Sequence, residues 1–272
     1  MAPLSSLFGR IYPMEINNKR IVITGAASGI GKALLNEISK LDTHILAADI
    51  NASGLNQAIK DLSGNRSRIT PFIADLSLAK NLDKLFEIAD NQMGGIDLFI
   101  ANAGFPYYET IHKADWKHIE RIFQLNVYSP IYAFEKLLLL NKRRDFKMVI
   151  TASAMGVMAM PGYALYSATK AALHRFAEGA RLEISDPRQL MLVYPIATFT
   201  DFFKSASQNT PIPWPAQTPQ VVARAILHGI QHDRKNVNPS IIFSLIIFLD
   251  RFQPFIRLAY QKYYARLLDK QP

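Results

Sequence analysis

Tyr166 and Lys170 are the two side chains in this chain whose types and spacing best suit proton transfer. They lie in Gly162-Tyr163-Ala164-Leu165-Tyr166-Ser167-Ala168-Thr169-Lys170, which runs on through Ala171-Ala172-Leu173 in a helical pattern. On a helix, residues i and i+4 share one face a turn apart, so phenol and ammonium can enter the same cleft. A phenol ordinarily titrates near ~10 and is a poor base at neutral pH. A cation beside it favours the phenolate and lowers that value. A Tyr held this way can exchange a proton with a reacting oxygen near neutrality. The pair alone is weak evidence, because a half-buried Tyr beside a solvated Lys is a common arrangement. Its weight depends on what surrounds it.

A second chemical element is Thr24-Gly25-Ala26-Ala27-Ser28-Gly29-Ile30-Gly31. It follows Ile21-Val22-Ile23, a β-branched run that reads as a buried parallel strand. It precedes Lys32 to Lys40, where Leu34, Leu35 and Ile38 recur at helical spacing. A glycine-rich turn between a strand and a helix N-terminus lets the backbone approach a diphosphate, and the helix end presents free N–H groups and a positive dipole. An ordinary tight turn is the plain alternative, but the strand-turn-helix context favours a nucleotide. His44-Ile45-Leu46-Ala47-Ala48 reads as the next strand and ends in Asp49, 18 residues beyond Gly31. A carboxylate there can accept hydrogen bonds from ribose hydroxyls and repel a ribose phosphate. No Arg or Lys directly follows Asp49, and none lies in the glycine turn before Lys32. NAD(H) is therefore favoured, with NADP(H) left open.

The spacing Gly-x-x-x-Gly-x-Gly after Thr24, taken with Tyr166-Ser167-Ala168-Thr169-Lys170, resembles the short-chain dehydrogenase/reductase family. The likeness spans residues 19–235, with several motifs in the family's order. It implies a catalytic set of Asn126, Ser153, Tyr166 and Lys170. Ser153 stands 13 residues before Tyr166, the spacing the family shows, and its hydroxyl can hold a substrate oxygen while Tyr166 exchanges the proton. By the same resemblance Lys170 lowers the Tyr166 pKa and binds the nicotinamide ribose, and Asn126 bends its helix and holds a water in the proton relay. The implied cofactor set starts with Gly25, Ser28, Gly29, Ile30 and Gly31 at the diphosphate and Asp49 at the adenosine ribose. Asp75 and Leu76 follow at the adenine. Asn102, Ala103 and Gly104 lie along the nicotinamide ribose, and Pro195, Thr198 and Thr200 near its carboxamide. Ile196 stands where the family usually has Gly, a departure that bears on the path of that loop. A homo-dimer or homo-tetramer through the helices carrying Asn126 and Tyr166 is also implied.

The elements that must position these residues alternate in type. Strands are expected at 21–23, 44–48, 68–74, 96–100, 148–152, 189–194 and 237–242. Helices are expected at 32–40, 51–62, 77–93, 115–140 with an interruption at Ser129-Pro130, and 163–185. Another helix opens at Thr218-Pro219, with Thr as cap and Pro at the first position. The βαβα order predicts one doubly wound parallel sheet, a Rossmann-like three-layer α/β/α fold. The domain reading is an N-terminal extension over 1–18, a single domain over 19–240 with a substrate lid at 200–217, and an apolar, basic C-terminal extension over 241–272. Long irregular loops tend to be functional, and Phe202, Phe203 and Trp214 give the lid an apolar substrate surface.

Composition narrows the function classes. A chain of 272 residues suits one large α/β domain. The absence of Cys rules out disulfides, thiolate catalysis and Cys-ligated metal. The six His form no HExxH-type motif, so no metal is expected. The formal charge of +9 comes without a dense basic run or a helix-turn-helix pattern, so no nucleic-acid partner is expected. An anionic membrane surface, an acidic substrate and solubility remain as explanations. Residues 1–18 lack the pattern of a signal peptide.

The end of the chain departs from the family. Ile241 to Leu249 is a run of nine residues, apolar but for Ser244, closed by Asp250. Spanning a bilayer takes about 20 apolar residues. Arg251, Arg257, Lys262 and several aromatics follow, which suits contact with a membrane surface. A subunit interface or a core-packed strand and helix is the alternative. The whole reads as a cytoplasmic oxidoreductase, with peripheral membrane contact through 241–272. It transfers a hydride between a nicotinamide cofactor and an apolar carbonyl or secondary alcohol, with Tyr166 as general acid/base. The competing reading is a catalytically silent nucleotide-binding scaffold or redox sensor. Intact Ser153, Tyr166 and Lys170 count against that reading; Pro195-Ile196 counts for it.

Overall fold

Short branched and aliphatic runs become strands here because both of their faces are covered. The computed structural model describes residues 14–62, 64–113, 115–141, 145–200, 202, 212–250 and 255–268. The strands are β1 (Arg20–Thr24), β2 (His44–Asp49), β3 (Arg68–Ile73), β4 (Leu98–Ala101), β5 (Lys147–Thr151), β6 (Leu190–Val193), β7 (Ala197–Thr198), β8 (Ala216–Gln217) and β9 (Asn236–Val237). Seven of them form one sheet in the order β3-β2-β1-β4-β5-β6-β9, all pairs parallel. β7 and β8 pair separately, also in parallel. Every residue of β4, β5 and β6 is buried. β3 lies at the sheet edge, where Pro71, opposite Ala47, is tolerated without a backbone N–H.

The helices are α1 (Gly29–Ile38), α2 (Ala52–Lys60), α3 (Ala79–Met93), α4 (Trp116–Phe123), α5 (Ser129–Leu140), α6 (Ala164–Glu183), α7 (Pro219–Gln231), α8 (Ile241–Asp250) and α9 (Phe255–Leu268). Successive strand side chains point to opposite faces. Ile21, Ile23, Ile45 and Ala47 therefore join Leu34, Leu35, Leu55 and Ile226 in one core. Val22, Leu46 and Ala48 join Phe86, Phe134, Leu137 and Leu173 in the other. The result is the three-layer α/β/α arrangement expected of the βαβα pattern. Met14 and Ile16 are buried in the first core, so the described part of the N-terminal extension is packed.

Two expected elements are corrected. The long helix over 115–140 is interrupted at Gln124–Tyr128, a π-helical segment, not at Ser129-Pro130. Pro130 follows directly, so its missing N–H falls where the continuous helix passes from π to α hydrogen bonding. The seventh strand is confined to Asn236–Val237, and Ile241 begins a helix. The Ser240 hydroxyl accepts a hydrogen bond from Phe243 N at 3.2 Å, which caps the helix and diverts the apolar run from the sheet. Most of the expected lid at 200–217, including Phe203, lies outside the described residues.

Candidate active site

In an open parallel sheet the ligand crevice forms beyond the strand C-termini, where the strand order reverses. Here that point lies between β1 and β4, and a cavity of about 650 Å³ runs across the ends of β1 to β6. Gly25, Ser28, Gly29 and Ile30 line it after β1, Asp49 after β2, and Asp75 and Leu76 after β3. Asn102, Ala103 and Gly104 line it after β4, Ser153 after β5, and Pro195, Thr198 and Thr200 after β6. Tyr166 and Lys170 enter from α6.

The glycine turn is a cradle that side chains would fill. Gly25 adopts φ +67, and a Cβ there would stand 3.0 Å from Ala103 Cα. Gly31 does not line the cavity. A Cβ on it would lie 1.9 Å from the Gly25 carbonyl oxygen, so this glycine lets α1 close onto the turn. Ser28 caps α1 without a side-chain capping bond, and no acidic residue occupies the first turn. The N-terminal amides of α1 are thus left to a diphosphate, and the residues present fit a dinucleotide. Asp49 Oδ2 accepts from Ala27 N and Oδ1 from Asn51 N, each at 2.9 Å. These bonds fix the carboxylate beside the cradle and leave lone pairs for hydroxyl donors.

Asn102 ties three strand ends together. Its Nδ2 donates to Thr24 O at 3.2 Å, and its Oδ1 accepts from Thr151 Oγ1 at 3.2 Å. Thr24 Oγ1 accepts from the backbone N–H groups of Asn102 and Ala103, both at 3.0 Å. The loop after β6 is held by contacts on either side of Ile196. Ala154 N donates to Pro195 O at 2.9 Å, Ile196 packs on the core, and the β7–β8 pairing holds Ala197 and Thr198.

Ser153, Tyr166 and Lys170 converge. Ser153 heads a short 3₁₀ turn over Ala154–Gly156; its Oγ accepts from Met155 N at 3.1 Å, and the residue lines the cavity with Tyr166. Lys170 Nζ donates to Thr151 O at 2.8 Å and stands 5.5 Å from the centre of the Tyr166 ring. Burial raises the Tyr166 pKa well above its ordinary value, against a smaller opposing pull from the Ser153 hydroxyl. Burial likewise lowers Lys170 to about 7. In the protein by itself, burial outweighs any acidification of the phenol by Lys170. Desolvation penalises both charged forms, and the phenol is held neutral.

Asn126 is 1% exposed and does not line the cavity. It sits in the π-helical turn, where Nδ2 donates to Phe105 O at 3.0 Å and Thr169 Oγ1 at 3.2 Å, while Oδ1 accepts from Phe105 N at 3.1 Å. It ties the loop after β4 to α6 beside Lys170. Gly156 was not singled out by its sequence context. A Cβ there would come within 2.7 Å of Lys170 O, so it lets the Ser153 turn lie against α6.

The other end of the cavity is apolar. Met155, Met158, Met160, Tyr163 and Phe202 line it, joined by Phe243 and Ile246 of α8 and Arg257 and Tyr260 of α9. The tail residues were missed because the run was read as one apolar block. The i, i+3, i+4 spacing of Phe243, Ile246 and Ile247 marks an inward helix face. α9 grips the loop beside it: the Tyr260 hydroxyl donates to Trp214 O at 2.6 Å, and Trp214 N donates to the Tyr264 hydroxyl at 2.9 Å. Gln261 Nε2 donates to Ala159 O at 2.7 Å.

A dinucleotide cradle and a proton-transfer cluster opening on one cavity define an oxidoreductase that works with a nicotinamide cofactor. Residues 19–211 match the short chain dehydrogenase family, and the chain belongs to it. It is an NAD(P)-dependent enzyme that transfers a hydride between cofactor and an alcohol or ketone. The chain is similar to Estradiol 17-beta-dehydrogenase 11 of Rattus norvegicus, 26% identical over 260 residues, 92% of this chain and 86% of that protein. A short chain dehydrogenase/reductase of Burkholderia phymatum in complex with NAD superposes with TM-score 0.77 at 19% identity, covering 90% of this chain and 96% of that one. A short-chain dehydrogenase of Sphingobium yanoikuyae in complex with NADPH gives 0.73 at 22% identity, covering 81% and 87%.

Proposed function

We propose that the protein reduces an apolar ketone or aldehyde with Tyr166 as the proton donor, and that NAD(H) is its preferred cofactor. The observation that carries this reading is the convergence of Ser153, Tyr166 and Lys170 between the glycine cradle and the apolar end of one cavity. A bound reduced nicotinamide supplies the hydride. Ser153 orients the substrate oxygen by hydrogen bonding. Tyr166, held as a neutral phenol by burial, gives its proton to that oxygen as negative charge develops on it. Lys170, when protonated, stabilises the phenolate left behind. Asn126 positions the loop and α6 around them.

The preference for NAD(H) is supported by Asp49 and by the lining contributed by residues 25–77, which contains no Arg or Lys. The apolar substrate class is supported by the methionines and aromatics opposite the cradle and by the steroid in the name of the Rattus norvegicus relative. Exposed Tyr128, Leu139 and Leu182, near or on α5 and α6, suit self-association. Contact of residues 241–272 with a membrane surface belongs to this reading. Among the described residues no helix is long and apolar enough to cross a membrane.

Tyr166→Phe tests the central role. The variant is expected to bind NADH as the wild type does, by fluorescence titration, and to lose about 100- to 10,000-fold in turnover. Wild-type turnover in this variant removes Tyr166 from its role.

A further inference from the structure

We propose that the α8–α9 hairpin is a lipid-facing substrate port: its outer side rests on an anionic lipid surface, and its inner side walls the route to Tyr166. This rests on the reading of an apolar carbonyl substrate. The two helices pack on each other, and each has two distinct sides. On α8, Phe243 is 3% exposed and Ile246 lines the cavity. On the other side Ile241, Ile242, Leu245 and Leu249 are exposed by 86%, 54%, 55% and 40%. These four follow the i, i+1, i+4, i+8 spacing of one helix face. On α9, Arg257 and Tyr260 line the cavity, while Leu258, Lys262, Tyr263 and Arg266 are exposed. Trp214, whose backbone α9 holds, is 75% exposed.

Charge and size decide what covers this face. α8 carries no ionisable side chain before its last residue, Asp250, and that carboxylate pairs with Arg257 at 3.3 Å. Lys262 and Arg266 are then uncompensated by any acid on the hairpin's described residues, in a chain of formal charge +9. A second copy related by two-fold symmetry would set these cations against themselves, whereas anionic headgroups neutralise them. Trp and Tyr beside an apolar face suit the membrane–water boundary. At 10 residues, α8 is only about 15 Å long, so it lies in such a surface and does not cross it. An apolar substrate dissolved in the lipid then meets the hairpin before the bulk solvent.

The test is vesicle flotation of the full chain with phosphatidylcholine, with and without phosphatidylserine, alongside turnover. Wild type is expected to float with the anionic vesicles. Ile242→Ser/Leu245→Asp removes two exposed side chains outside the cavity, and its partition should fall roughly tenfold for each. Lys262→Glu/Arg266→Glu should abolish the preference for phosphatidylserine. The first variant should keep wild-type kcat/KM on a short water-soluble ketone and lose at least roughly tenfold on a long-chain ketone carried in vesicles, following its lost partition. Flotation equal to wild type overturns the lipid contact. So does a concentration-dependent dimer in sedimentation that the same variant dissociates. Unchanged turnover of vesicle-borne ketone, with flotation lost, overturns the port. A wild type inactive on every ketone counts against the proposed reaction, while flotation still decides the surface.

Discussion

Tyr166 and Lys170 are both desolvated, and each is pushed toward its uncharged form. For the phenol this is the form that donates a proton, which favours reduction of a carbonyl. For Lys170 it means that the cation is present below about 7 and lost above it. The sign of the pH effect follows. Protonated Lys170 stabilises the phenolate that appears as Tyr166 gives up its proton, so the transition state is lower at acidic pH. The kcat/KM for ketone reduction should fall as pH rises through about 7. Lys170→Met should be slow throughout and lack that inflection. A profile measured with saturating NADH checks both, and an inflection kept in the variant assigns it to another group. That Ser153, Tyr166 and Lys170 would meet at one cavity was legible from spacing and resemblance. Their protonation was not, because it is set by how deeply α6 and the end of β5 bury them, and no motif encodes depth.

At the scale of elements, β1 to β6 were legible because each is a short branched or aliphatic run with a turn or helix signal after it. β7 and β8 were not, since two-residue strands exist only through their tertiary pairing. The π-helical turn at Gln124–Tyr128 was misplaced for a related reason. Ser129-Pro130 looks like a break, but the helix runs through it, and the hydrogen-bond register shifts in the turn just before the proline. The turn's use is visible in Asn126, which the widened backbone aims at Phe105 and Thr169. Asn126→Ala should leave the Phe105 N–H and C=O without these partners and cost about 1–3 kcal/mol in denaturant unfolding. It should also lower kcat, and by more than it weakens NADH, because the glycine turn after β1 lies away from Asn126 while Gly104 and Phe105 lie beside it. Asn126→Asp should recover part of the stability through the retained acceptor. An Ala variant with wild-type kcat would make the residue structural only.

Over the whole molecule, the cavity joins parts with different origins in the chain. The cofactor end is built from turns within residues 25–200, at the ends of a sheet whose doubly wound parallel class was expected. The substrate end borrows from α8 and α9, which the sequence presents as a tail. That division predicts separable effects. Tyr260, Gln261 and Tyr264 hold the backbone at Trp214 and Ala159 through three hydrogen bonds, all distant in sequence. Tyr260→Phe/Gln261→Ala/Tyr264→Phe removes those bonds and keeps the aromatic packing of Tyr260 and Tyr264 on the cluster around Tyr166. Each bond is worth about 0.5–1.5 kcal/mol, so KM for a bulky apolar ketone should rise by about tenfold or more. The dissociation constant for NADH should stay within twofold of wild type by the approximate independence of distant sites. Steady-state kinetics with a bulky and a small ketone distinguishes the outcomes. A KM increase confined to the bulky substrate identifies the hairpin as the wall that selects it. Equal losses for both substrates, or weakened NADH binding, would mean that α9 supports the sheet and not the substrate end.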